Sequence, residues 1–195
     1  MTMPVADPAP EARPIVQRDA HGTGGPLDRT GFAWAVFEWA RNPYYILVVI
    51  YIFAPYFARD IIGADLLASG ELDSLDPETA RNTANARGQA TIASVTKWAG
   101  LIAALTAPFL GAALDRGGRL KPVLAITLGS ITVCSALLWF AMPGGEGLPV
   151  WAIMSLLVIA YVSYTYSEVT HNAMLSVSGE AKNLSMISGL GLGLG

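Results

Sequence analysis

Two short runs of this 195-residue sequence combine an acid with a base or an imidazole at one-turn spacing, inside otherwise apolar surroundings. The first holds Glu38, Arg41, Asn42 and Tyr45. Residues three and four apart share a helix face, so these four make a polar stripe. The second holds Tyr161, Tyr164, Thr165, Glu168 and Asn172, again at three- and four-residue spacing, with His171 three residues after Glu168. Ser163, Tyr166, Ser167 and Thr170 lie elsewhere around the same helix, so this stripe is less clean. Carboxylates beside a guanidinium in a water-poor setting can bind a polar or zwitterionic solute, or hold a proton. Burial raises a carboxylate's pKa and a nearby arginine lowers it. Glu38 is therefore a candidate proton site. A structural ion pair between Glu38 and Arg41 accounts for the same residues. Glu168 and His171 fit part of a proton relay or gate, and equally an interfacial helix end where tyrosines anchor at headgroups.

Other chemistry finds no residues. No Ser/His/Asp arrangement and no metal-ligand cluster stands out. With two histidines, His21 and His171, and one cysteine, Cys134, neither a histidine-based nor a multi-cysteine site is expected. Cys134 reads as a small apolar filler. The run Gly189-Leu190-Gly191-Leu192-Gly193-Leu194-Gly195 is not a dinucleotide loop, because Leu194 stands where Gly-x-Gly-x-x-Gly needs glycine and no strand precedes it. Its small residues at four-residue spacing suit close helix packing in a membrane. Asn183-Leu184-Ser185 matches a glycosylation sequon, which the topology below would place on the cytoplasmic side. The chain is not expected to be an enzyme or to carry a cofactor or metal. A net charge of −3 also argues against nucleic acid as a partner.

The elements that must position these stripes are apolar. Hydrophobic residues make up 53 % of the chain and charged residues 14 %, against about 25 % charged in an ordinary soluble domain. The shortfall lies in long windows, each matching the ~20 residues needed to cross a bilayer core. The expected class is an all-α integral membrane protein, with the lipid bilayer as its first partner. Four full spans are expected at about 32–58, 89–114, 122–142 and 150–175, with the start of a fifth at 186–195. Within the first, Pro43 lacks an N–H and should kink the helix, freeing a carbonyl. Residues 1–31 read as a disordered cytoplasmic tail, rich in Pro, Gly, Ala and charge. Residues 59–88 read as an acidic external loop, containing a short surface helix that Asp76 caps and Pro77 begins. Lys97, inside the second span, can snorkel outward. The last segment stops after ten residues, so the chain is expected to be part of a longer polypeptide or an incomplete gene product. Its absent half, or a partner subunit, would complete it.

The turn between the second and third spans is the sharpest landmark. Gly111, Asp115, Arg116, Gly118, Arg119 and Lys121 follow an uncharged stretch and precede another. Lys and Arg concentrate in cytoplasmic loops. That puts this turn and the N-terminus in the cytoplasm, as in a multi-pass protein of a plasma or inner membrane. Gly111 and Gly118 would permit close approach and a tight turn.

The same residues resemble the signature of the major facilitator superfamily, which joins the second and third helices of those transporters. Leu120 and Ala113 depart from its commonest residues. Trp34-Ala35-Val36-Phe37-Glu38-Trp39-Ala40-Arg41-Asn42-Pro43-Tyr44 is similar to the first-helix motif of the vacuole-effluxer-like branch, related to a fungal autophagy amino-acid effluxer. The usual Asp-Trp-Ala-Asn-Ser is here Glu-Trp-Ala-Arg-Asn. Ile52 to Phe57, and His171 to Leu175 followed by Ser188 to Gly191, also fit that branch. The resemblance covers about Phe32 to Gly195. It implies the N-terminal helices of a major-facilitator-type bundle in an alternating-access secondary transporter. The expected solute is small and polar, such as an amino acid, with proton coupling. In this reading Glu38, Arg41, Asn42, Tyr45, Tyr164, Glu168 and Asn172 border the solute and proton pathway. The motif from Gly111 to Lys121 locks one access state. Gly189, Gly191, Gly193 and Gly195 serve helix packing. The alternative is a non-transporting helical membrane subunit that assembles with a partner half.

Overall fold

The computed structural model describes residues 27–117 and 119–195. The tail expected over 1–31 lies outside it up to residue 26, as does Gly118. The described residues form five α- or π-helical elements, with short 3-10 turns between them, and no strand. α1 (Arg29–Ala68), α2 (Pro77–Asp115), α3 (Leu120–Leu137) and α4 (Val150–Met174) are long; α5 (Leu184–Leu194) is short. With a 3-10 turn at Leu138–Phe140, α3 extends to 21 residues. The four long helices are each apolar and long enough to cross a membrane. Phe109, Ile126, Trp139, Trp151 and Leu192 stand exposed on the outside, as lipid-facing side chains would.

The start of α1 is set by Asp28, whose carboxylate accepts the Gly31 N–H at 2.7 Å. Within α1, π-helical stretches occupy Tyr44–Tyr51 and Phe57–Gly63. Each follows a proline: Pro43 immediately, Pro55 by two residues. A proline offers no N–H to the carbonyl four residues earlier and crowds it, so the ladder shifts to i→i−5 bonds. The Ile52 N–H thus reaches the Leu47 carbonyl at 2.9 Å. The helix widens at Pro43 and continues.

The segment 59–88, expected as a loop, is largely helical. α1 runs on to Ala68, and a turn leads to Asp76, which caps the Glu78 and Thr79 N–H groups. From Pro77 the helix does not stop near Arg87; it continues to Asp115. At 1.5 Å per residue its 39 residues span about 58 Å, well beyond the ~30 Å of a bilayer core. Its first turns, with Glu78, Arg81, Asn82, Asn85 and Arg87, are accordingly polar. Gly88 is no helix end. A Cβ there would collide with the Ala58 carbonyl, so glycine lets α2 touch α1 backbone to backbone.

Besides a small cluster of Leu72, Ala80 and Ala84, two interiors result. Near the α1–α2 connection, Phe57, Ile61, Val95, Leu138, Ile153 and Leu157 form an apolar core contributed by all four long helices. At the other end Trp34, Ala35 and Ile187 join α1 to α5. Between α1 and α4 the contacts become polar.

Candidate functional site

Helical periodicity puts Trp34, Glu38 and Arg41 on one face of α1, at i, i+4 and i+7. The buried face of α4 runs Ile153, Leu157, Ala160, Tyr164, Ser167 and His171. These two faces meet. Arg41 is 6 % exposed, unusually low for an arginine. Its Nη2 lies 2.7 Å from both Glu38 oxygens, and 3.9 Å from Glu168 Oε1 on α4. The guanidinium carbon sits 4.9 Å from the centre of the Tyr164 ring. Arg41 Nε and Nη1 and the Tyr44 hydroxyl are buried without a hydrogen-bond partner among the described residues. Such groups cost about 1–3 kcal/mol each. Arg41 and Tyr44 line a cleft of about 320 Å³ between α1 and α3, with Leu128, Ile131, Thr132 and Ser135 on its α3 side.

Around this cluster the other stripe residues divide. Tyr45 stacks on Tyr164, with ring centres 5.5 Å apart. The Tyr164 hydroxyl donates to Asn42 Oδ1 at 3.4 Å, and Asn42 Nδ2 donates to the Gly195 carbonyl at 2.6 Å. Glu168 is half-exposed at the border. Asn172 is exposed and makes no side-chain hydrogen bond among the described residues, so the structure does not bring it into the cluster. The reason is angular: His171 is seven residues from Tyr164 and returns to the same face, whereas Asn172 is eight away and turns off it.

His171 takes that place. It is 2 % exposed. Its ring stacks on Trp34 at 4.3 Å between centres and tilts against Phe37 at 4.6 Å. Trp34 Nε1 donates to the His171 carbonyl at 2.9 Å, and His171 Nε2 donates to the Trp34 carbonyl at 3.0 Å. Nδ1 then faces Glu38 Oε2 at 3.5 Å. Trp34, Tyr44 and the α3 residues Thr132 and Ser135 were not singled out from the sequence. For Trp34 the signal was present, since it lies four residues before Glu38; for the α3 pair none was.

The turn from α2 to α3 is made by Gly117, at φ +92°, a left-handed conformation that favours glycine. Arg116, Arg119 and Lys121 are exposed around it, with Arg119 the residue before α3. Asp115 is the last residue of α2. Gly111 meets nothing: a Cβ there would have no neighbour within 4 Å. Of the terminal glycines, Gly191 lies against the Trp34 ring and Gly195 against Asn42, while Gly189 and Gly193 face open space. Lys97 is exposed, its ammonium 5.2 Å from the centre of the Trp98 ring.

Among the described residues no group of His, Cys, Asp and Glu is arranged to hold a metal ion. Comparison of the chain with protein-family models, with curated proteins and with solved structures finds no match.

Proposed function

We propose that this chain is the N-terminal helical bundle of a secondary active transporter of the major facilitator type. It moves a small polar solute such as an amino acid, coupled to protons. The arrangement that carries this reading is the cluster of Glu38, buried Arg41 and buried His171, with half-exposed Glu168 at its border, between two membrane-length helices. Ionisable groups at such depth are costly, and they are kept where they border a solute or ion path. The unspent donors of Arg41 and Tyr44 beside the cleft support the same reading, since an oxygen-rich solute would satisfy them. In this topology the N-terminus and the turn bearing Arg116, Arg119 and Lys121 face the cytoplasm. Asp115 with its basic neighbours would hold one access state.

The test is uptake of radiolabelled amino acids into proteoliposomes containing the protein, under an imposed pH gradient. Glu38→Gln is expected to abolish gradient-driven uptake. Unchanged uptake with unchanged pH dependence removes Glu38 from the mechanism. A protein that inserts in the bilayer yet moves no solute under any gradient favours the non-transporting subunit, for which the open faces of Gly189 and Gly193 offer a helix-packing surface.

A further inference from the structure

His171 is held more tightly than a helix contact requires. A backbone carbonyl has only lone pairs, so Nε2 must carry its hydrogen to bond the Trp34 carbonyl. The return bond from Trp34 Nε1 and the two flanking rings fix the imidazole plane. That leaves Nδ1 as the one position able to gain or lose a proton. It faces Glu38 Oε2 across 3.5 Å and has no other partner among the described residues. A bare Nδ1 would set its lone pair against a carboxylate oxygen, which is repulsive. One proton between them replaces that repulsion with a charge-assisted hydrogen bond.

We infer that Glu38 and His171 together form a binding site for one exchangeable proton, held between Glu38 Oε2 and His171 Nδ1 and joining α1 to α4. Access is from the α1 N-terminal end. A cleft of about 170 Å³ reaches the ring there, lined by Thr30, Trp34, Phe37, Leu124, His171 and Ser178. Proton uptake at Nδ1 changes no heavy-atom bond. The charged groups facing the ring are Glu38 and Arg41 from α1, with Glu168 one turn back on α4. α3 contributes Leu124 and α5 contributes Ile187 to the same packing, neither of them charged. Glu38 is thus shared between a permanent cation, Arg41, and a titratable one. Protonation draws Oε2 toward α4 and loosens the Glu38 hold on Arg41, whose Nη2 already lies 3.9 Å from Glu168. That exchange makes proton binding a change in the α1–α4 contact. Its use as the coupling step rests on the transporter reading; the proton site itself does not.

The experiment is 15N NMR of the chain labelled at histidine and tryptophan in lipid nanodiscs, titrated with pH. His21→Asn leaves His171 as the only histidine. The expected result is gain and loss of hydrogen at Nδ1 alone, with Nε2 protonated throughout. Glu38→Gln should move that titration to lower pH by about one to three units, the effect of losing an anion within 4–6 Å. Glu168→Gln should move it much less. The Trp34 indole signal, unshifted, shows that each variant keeps the helix contact; Glu38→Asp serves where Glu38→Gln does not fold. A His171 that never titrates at Nδ1, or whose titration ignores Glu38, overturns the site. A site that titrates as expected in a protein without proton-driven uptake upholds the proton site and overturns the transporter reading.

Discussion

The two halves of α4 meet α1 through opposite kinds of interior. In the first half Ile153 and Leu157 are buried in an apolar core with Phe57 and Ile61 of α1, Val95 of α2 and Leu138 at the end of α3. In the second, Tyr164 and His171 lie against Trp34, Glu38 and Arg41 of α1. In lipid, apolar side chains gain little from leaving the tails, so the first half holds by close packing and the filling of space. The second half gives up packing for ion pairs whose desolvation is expensive. A helix pair that could have been apolar along its whole length is polar at one end. Burial of charge is a poor source of stability, and the proposed solute and proton path would give these charges a use.

The largest expected effect separates these two interiors. Arg41→Ala leaves Glu38 and Glu168 without their cation and should cost about 3–5 kcal/mol in unfolding from mixed micelles. The paired change Glu38→Leu with Arg41→Met should be neutral or stabilising by about 1–4 kcal/mol, while uptake is lost. A paired variant as unstable as Arg41→Ala would show that the ion pair is structural, and the contrast would collapse. Next in size is Ile153→Ala, a fully buried residue in the apolar half. It should cost about 2–4 kcal/mol by opening a cavity, with the pH dependence of uptake unaltered. A changed pH profile in that variant would mean the halves are not independent. The smallest effect lies outside both. Hydrogen bonds from Thr79 hold the Asp76 carboxyl below the usual carboxylate range. Its contribution to stability is therefore present above the ordinary carboxylate value and lost as pH falls through the lowered one. Asp76→Ala should remove that acid-side loss, read from melting curves between about pH 5 and 2, and leave uptake alone.

Much of the layout was legible in the residues. Uncharged windows mark the four membrane-length helices, because burial of backbone in lipid demands long apolar helices. Asp76-Pro77 marks a helix start because Pro77 needs no N–H there and Asp76 supplies an acceptor. The polar stripe of α1 was legible for the same periodic reason. The stretch from Arg59 to Gly88 was misleading. Its acids and Gly88 look like a loop, yet a helix can project past the bilayer with a polar surface, and Gly88 serves a contact with Ala58 that lies thirty residues away. The exchange of Asn172 for His171 had a similar source. Hydropathy does not say which of two adjacent polar residues turns inward; the register of α4 on α1 does.

The sequence by itself determined that this chain is a set of apolar helices with a few charges inside them, since composition and spacing decide what lipid tolerates. Only the tertiary structure decided which charges meet. Glu38 and Arg41 pair within one helix, but Glu168 and His171 reach them only through the way α4 packs beside α1, which the side chains of both helices set at once. No window of one helix contains it.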